Sequence, residues 1–234
     1  MLILLDYSKA FDTVWRERLL LSMHEKGVPL QVIRWIYGFL KNRQARVRLH
    51  EELSSSRRLN QGLPQGCVLS PLLFLFFINN LAELLMKDNP ELAAKLVFSL
   101  FADDVTILAT HRKREEAVKA AQWAVNLVNE WSAAWKLNLN ASKSEVGYFT
   151  RWTKEIKSEW KPELQIAGKA IPYNSTPKLL GVFLDTQLSF VKQTKEAAKA
   201  ATAKIKIISA VANTDWGWKK DELKNLYFSY VRSK

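Results

Sequence analysis

Apolar positions follow two different spacings along this chain, and the alternation between them predicts its elements. Residues 2 to 5 are a short apolar run that ends on Asp6. From Leu96 to Ala109, two runs rich in β-branched and aromatic residues flank Asp103 and Asp104. Each run has the length of a buried strand, so the stretch reads as a β-hairpin with carboxylates at its tip. Elsewhere the spacing is helical. Leu19, Leu20 and Met23 predict a helix that ends near Gly27. Ile33, Ile36, Tyr37 and Leu40 predict another, with Pro29 in its first turn. A helix through Leu72, Leu73, Phe76, Phe77 and Leu81 is apolar nearly all round at its start and must be buried, with Ser70 and Pro71 as cap and first position. Lys113 to Trp135 is a long amphipathic helix whose tryptophans read as core. Val146 to Phe149 reads as a strand, Leu164 to Ile166 and Ile171 to Tyr173 as hairpin pieces, and Leu179 to Asp185 as a strand broken at Gly181 by a bulge or a close backbone approach. A Lys/Ala-rich helix from about Phe190 to Val211 and a shorter one from Lys219 close the chain. The class is α+β.

Composition narrows the picture. At 234 residues the chain can build one sizeable core or two small lobes, and nine Trp with eleven Phe exclude a disordered polymer. A net charge of +12 points to a polyanionic partner, nucleic acid first and an acidic membrane surface second. The single cysteine, Cys67, excludes an intrachain disulfide framework and suits a reducing, intracellular setting. No stretch reaches the ~18 apolar residues of a membrane span, and Leu72 to Ile78 is the longest candidate. Met1 to Leu5 lacks the basic lead-in of a signal peptide. The chain opens inside a core strand and closes on Arg232-Ser233-Lys234 without a helix stop signal, so a fragment of a longer protein is expected.

The candidate chemistry sits at the breaks in the pattern. Carboxylates between core strands are costly unless neutralised, so Asp103 and Asp104 suggest a bound cation or a basic partner. Magnesium suits oxygen ligands and takes one or two carboxylates plus substrate phosphates. An ordinary Asp-Asp turn is the alternative. Asp6, at its strand's end, would add a third acid, or else cap a helix, for which Asp12 is the better candidate. Arg43, Arg46, Arg48 and His50 alternate with small and apolar residues before Arg57 and Arg58, which reads as a hairpin with one basic face that tracks phosphates, or a charged edge that discourages strand pairing. Gln61 to Pro71 is a shaped Gly/Pro loop in which Gln65 can hydrogen-bond a base or a sugar. Lys143 can reach a leaving phosphate or stay solvated. Lys192, Lys195 and Lys199 give the late helix a nucleic-acid-facing side, or only a basic surface.

The order of these pieces carries more than any one of them. Asp6 with Phe11, then Gln61-Gly-Leu-Pro-Gln-Gly with Ser70-Pro71, then Phe101-Ala-Asp-Asp104, then Lys143, then Leu180-Gly181 closely resembles the palm of a reverse transcriptase. The wording of residues 5–12 and 101–104 is most similar to non-LTR (LINE-type) retrotransposons. The resemblance implies a polymerase right-hand palm, an antiparallel sheet backed by helices, over residues 1–185. A fingers-like insertion at about 28–60 and a partial helical thumb from 186 to 234 complete the expected layout, with the fingers largely missing. It implies RNA-directed DNA polymerase activity, a nucleotidyl transfer from dNTP to a primer 3′-hydroxyl. Asp6, Asp103 and Asp104 would be ligands of two Mg²⁺ ions, with Mn²⁺ able to substitute. Phe11 matches the ring that excludes a 2′-hydroxyl, Gln65 and Gly66 the contact and turn at the incoming nucleotide, and Ala102 the small position beside the primer end. Lys143 matches the lysine that assists pyrophosphate departure, and Leu180 with Gly181 the primer grip.

The implied partners are an RNA template, a DNA primer, dNTP and the rest of a retrotransposon polyprotein (endonuclease, fingers, remaining thumb), with no membrane. The implied compartment is the nucleus for target-primed synthesis, or a cytoplasmic ribonucleoprotein. The family carries a fingers segment before the first aspartate that is absent here, so weak or no activity is expected of this chain alone. A catalytically inactive nucleic-acid-binding module with the same fold is the competing reading, and intron-maturase or telomerase types share the chemistry.

Overall fold

Leu2–Leu5 (β1) is apolar at every position because both of its edges and both of its faces are covered. The computed structural model describes residues 1–152, 160–212 and 216–232. These form two compact units, one of residues 1–148 with 160–174 and one of 149–152 with 175–212 and 216–232.

In the first unit, β1 is followed by the short helices Ala10–Thr13 (α1) and Arg16–Glu25 (α2), and by Leu30–Leu40 (α3). Gly27, at φ 78°, turns the chain after α2 as the sequence predicts. Next comes the arginine-bearing hairpin, which is split into two ladders. Gln44–Ala45 (β2) pairs with Arg57–Arg58 (β5), and Arg48–Leu49 (β3) pairs with Glu52–Leu53 (β4). The hairpin of the sequence reading is therefore present, with its ladder interrupted between the two pairs where no covered face supports the intervening residues.

Leu69–Lys87 (α4) begins one residue before Ser70. Ser70 therefore does not cap it, and its hydroxyl donates instead to the Pro64 carbonyl. The sequence predicts no segment of membrane-spanning length, yet α4 is long and apolar enough to cross a bilayer by length and composition. Its apolarity has a local cause, since Leu73, Phe74, Phe77, Ile78, Leu81 and Leu85 are buried where α4 packs against α2 and Arg114–Ala134 (α6).

Pro90–Ala93 (α5) is capped by the Asn89 side chain, which accepts from the Leu92 N–H, and leads into Leu96–Phe101 (β6) and Asp104–Ala109 (β7). With Glu145–Gly147 (β8) these make an antiparallel sheet in the order β6-β7-β1-β8. Register sets Ile3 between Ile107 and Val146, and Leu5 opposite Val105. A row of small residues on α6, Ala117, Ala120, Ala121 and Ala124, lets that helix approach β7 closely. Trp131 and Trp135 are buried and stacked at 4.8 Å, with Phe77 edge-on to Trp135, so these tryptophans are core as predicted. Gln165–Ile166 (β9) and Lys169–Ala170 (β10) form a small hairpin around Ala167 and Gly168, its second strand just before the predicted Ile171–Tyr173 piece, of which Tyr173 bridges Val146 instead.

In the second unit, Lys178–Leu179 (β11) and Val182–Phe183 (β12) pair antiparallel. Leu180 and Gly181 are the two residues of the connecting turn, at φ 45° and 91°. The predicted bulged strand is therefore a tight hairpin, since two successive left-handed residues reverse the chain rather than kink it. Val191–Val211 (α7) and Lys220–Leu226 (α8) follow, and a π-helical turn covers Tyr227–Arg232. The Phe183 N–H donates to the Gln193 side chain, tying β12 to α7, so the predicted division after residue 185 falls inside this unit.

Candidate active site

The hairpin of β6 and β7 closes between Phe101 and Asp104, which leaves Ala102 and Asp103 as a two-residue tip. Ala102 has φ 51°, a left-handed conformation that costs a non-glycine residue ~1 kcal/mol or more and recurs at functional sites. Because Leu5 pairs with Val105, the next step along the ladder brings Asp6 alongside Asp104. The three acids therefore share one end of the sheet. Asp104 records this: although the residue is exposed, its carboxyl is held above the ordinary range, first by partial burial and then by the negative charges of Asp103 and Asp6. Among the described residues no ion pair engages any of the three.

This donor set fits a hard divalent cation, because it is all carboxylate oxygen and carries uncompensated negative charge. Among the described residues, no three His, Cys, Asp or Glu side chains are arranged to hold an ion by themselves.

Beside the tip lies a cleft of about 610 Å³, lined by Lys9, Phe11, Gln65, Gly66, Pro71 and Asp103 among others. Phe11 forms one wall. Its ring is half-buried and stacks on the fully buried Phe74 at 4.6 Å, which fixes its plane from behind. Gln65 stands on the Gln61–Gly66 loop, and its Nε2 donates to Asp12 Oδ1 at 3.0 Å. Asp12 is thus corrected from helix cap to partner of Gln65, since α1 and α2 have no side-chain cap. Gly62 carries the close approach of this loop: a Cβ there would meet the Asp12 carbonyl at 2.5 Å. Gly66 has open space around it and serves through its φ of 79° alone.

Lys143 is exposed on the turn from Asn140 to Ser144, which is laced to Asp6 on both sides. The Asn140 N–H donates to the Asp6 carbonyl at 2.8 Å, and the Asp6 N–H donates to the Ser144 hydroxyl at 3.1 Å. The structure therefore brings Asp6, Asp103, Asp104, Phe11, Gln65, Gly66, Ala102 and Lys143 together at one end of the first unit. Arg43 shares a second cleft of about 360 Å³ with Asp12 and Gln65, while Arg46, Arg48, Arg57 and Arg58 are exposed on the hairpin.

Leu180, Gly181, Lys192, Lys195 and Lys199 belong to the second unit. Lys192 lies over the Phe183 ring at 4.6 Å and donates to Thr176, and the other two lysines are exposed on the same helix. Two residues went unassigned in the sequence. Lys9 lines the cleft in a left-handed conformation. Arg16 is buried beneath the Gln61–Gly66 loop, and its only sequence signal is a cation at a helix N-terminus, where the helix dipole favours an anion.

Comparison with known proteins shows the family. A family model described as "Reverse transcriptase (RNA-dependent DNA polymerase)" matches residues 1–208. A Drosophila melanogaster protein named "Probable RNA-directed DNA polymerase from transposon X-element" is 29% identical over 201 residues, covering 86% of this chain and 21% of that protein. The RNA-directed DNA polymerase from mobile element jockey of Drosophila funebris is 29% identical over 195 residues, covering 80% and 20%. The chain thus spans about a fifth of the length of these relatives. The solved structure of apo telomerase from Candida tropicalis, truncated from its C-terminal domain, aligns at a TM-score of 0.49 and 15% identity over 61% of this chain and 29% of that one. The α+β class and the likeness to retrotransposon enzymes expected from the motifs are both borne out, and this chain belongs to the reverse transcriptase (RNA-dependent DNA polymerase) family.

Proposed function

We propose that the first unit is the palm of an RNA-directed DNA polymerase from a non-LTR retrotransposon, which joins a dNTP to a primer 3′-hydroxyl on an RNA template in the nucleus. The observation that carries this reading is the meeting of Asp6, Asp103 and Asp104 at one end of a sheet, next to a cleft walled by Phe11 and Gln65. Bound to these carboxylates, two divalent ions, Mg²⁺ or Mn²⁺, would supply the charge that an in-line displacement at the α-phosphate requires. The chain's own residues do the rest. The Phe11 ring stands beside the sugar and leaves no room for a 2′-hydroxyl. Gln65 meets the incoming nucleotide, and the turn at Gly66 lets it approach. Ala102 leaves space for the primer end, and Lys143 is carried at Asp6 on a turn that can face a departing pyrophosphate. Such positioning and charge neutralisation carry most phosphoryl chemistry. The hairpin arginines and the α7 lysines contact phosphates, and Leu180 with Gly181 contacts the primer.

The test compares wild type with Asp103→Asn on an RNA template annealed to a DNA primer. Wild type is expected to bind dNTP only with a divalent cation present and to add single nucleotides weakly. Asp103→Asn is expected to lose both and to keep its RNA affinity. Loss of RNA affinity in the same measure would assign the aspartate a structural role, and undiminished dNTP binding would overturn the proposal.

A further inference from the structure

Among the described residues Arg16 is the one charged residue in the buried class, at 9% exposure. Its guanidinium donates four hydrogen bonds, all to backbone carbonyls. Nε reaches Gly62 at 2.8 Å, Nη1 reaches Leu40 at 2.9 Å and Leu59 at 2.7 Å, and Nη2 reaches Gln61 at 2.9 Å. Among the described residues no carboxylate is paired with it. A buried cation is costly, and here the carbonyl dipoles offset that cost together with the charge of the neighbouring Glu17, against burial and the nearby Arg43. Leu40 is the last residue of α3, where an unpaired carbonyl favours a positive partner. Leu59 leaves the hairpin, and Gln61 and Gly62 enter the loop toward Gln65. One planar group therefore joins the end of a helix, the exit of a hairpin and the start of the cleft wall.

Beyond that anchor the loop is laid directly on the turn that carries Phe11. The Gly62 N–H donates to the Val14 carbonyl at 2.9 Å, and the Leu63 N–H donates to the Phe11 carbonyl at 2.7 Å. Gln65 then meets Asp12. The Phe11 ring and the Gln65 amide stand on these two abutting segments, so the width between them follows from where the loop is pinned.

We propose that Arg16 is a positioning residue for nucleotide selection: by holding the carbonyls of Leu59, Gln61 and Gly62 it sets the spacing between the Phe11 wall and Gln65. This rests on the polymerase reading above. A steric wall discriminates only while the sugar is held against it, and a shift of about 1 Å is enough to lose much of such an effect. Arginine suits the task because its rigid fork reaches four acceptors at once, whereas a lysine ammonium on a flexible stem cannot span them.

The experiment uses the full chain with an RNA template, a DNA primer and Mg²⁺, comparing wild type, Arg16→Lys and Arg16→Ala. Two quantities are read, the ratio of dATP to ATP affinity and the amide hydrogen exchange of residues 59–63 against that of the β1 and β7 ladder. In Arg16→Lys we expect the dATP:ATP ratio to fall roughly tenfold, with exchange faster at 59–63 and unchanged in the ladder. Arg16→Ala should exaggerate both effects. Faster loop exchange with the wild-type ratio kept overturns the proposal and leaves the polymerase reading intact. Exchange that rises throughout the sheet in both variants overturns it as well, because Arg16 then holds the whole unit and not the loop. Failure of the wild type to bind dATP removes the polymerase reading, and this role with it.

Discussion

The Gln61–Gly66 loop and the arginine hairpin of residues 43–58 are neighbours in sequence and opposites in how they are held. The loop is pinned from below by Arg16, paired with the Phe11–Val14 turn through two backbone hydrogen bonds, and pressed against Asp12 so closely that only glycine fits at position 62. Every residue from Gln44 to Asn60 is exposed, and the hairpin holds itself with bonds such as those between Val47 and Ser54. The difference follows from the work proposed for each. Selecting a sugar demands a wall fixed to within a fraction of an ångström, while following a phosphate backbone demands charge that can adjust. Changes behind the cleft should therefore act through stability, and changes on the hairpin through binding.

The largest effect is expected behind the wall itself. Phe74 is fully buried, stacks under Phe11 and touches Phe77. Phe74→Ala should cost about 3–5 kcal/mol of unfolding free energy in urea, as large-to-small core changes do, and should weaken dNTP binding in the fraction that stays folded. A cost below ~1 kcal/mol would mean that the Phe11 wall stands without the core, and the contrast drawn above would fail.

A smaller effect comes from Tyr7, one residue past Asp6. Its phenol is buried and hydrogen-bonded to the Ser132 hydroxyl at 2.8 Å, and burial pushes its pKa up to about 12, the hydrogen bond opposing. Tyr7→Phe should cost about 0.5–1.5 kcal/mol at neutral pH through the lost hydrogen bond. The sign of its pH dependence follows from the raised value. The folded state holds this proton more tightly than the unfolded chain does. Its contribution is thus complete below pH 10 and is lost as pH rises toward about 12. Two pKa units correspond to about 2–3 kcal/mol. The wild-type advantage over Tyr7→Phe in urea titrations should therefore shrink and then reverse across that window, and parallel curves would remove the role of the buried phenol.

The same contrast explains what could be read in the sequence. The strand at Leu2–Leu5 and the carboxylate-tipped hairpin were legible because their order comes from apolar runs and a two-residue break, both local features. Gly62 and Gly66 were legible as loop residues, but their different reasons, a close approach and a left-handed φ, depend on where Asp12 sits. Arg16 was not legible. It precedes the Leu19, Leu20 and Met23 positions that predict a helix, and its acceptors are backbone carbonyls of residues 40, 59, 61 and 62, which leave no side-chain pattern. Asp12 was misread for the same reason, since its partner Gln65 is far along the chain. Gly181 reads as a bulge or a close backbone approach because a two-residue turn inside an apolar run looks like a broken strand until the pairing of Lys178 with Phe183 is known.

The smallest effect on stability, and the sharpest test of the contrast, belongs to the hairpin arginines. Arg57 and Arg58 are exposed in β5, and among the described residues neither joins an ion pair. Replacing both with alanine should leave the unfolding free energy in urea within about 0.5 kcal/mol of wild type, the usual range for surface changes. RNA affinity should fall, and fall less steeply with salt. Each phosphate contact to a single strand contributes about 0.7 to the slope of log affinity against log salt, so losing two contacts should flatten it by roughly 1.4. dNTP affinity should not move, since neither residue lines the cleft beside Phe11. A flattened slope at unchanged stability would separate the adaptable charged arm from the rigid wall in one protein. An unchanged slope with lost stability would reverse the assignment, making the hairpin a structural element and leaving phosphate contact to other basic residues.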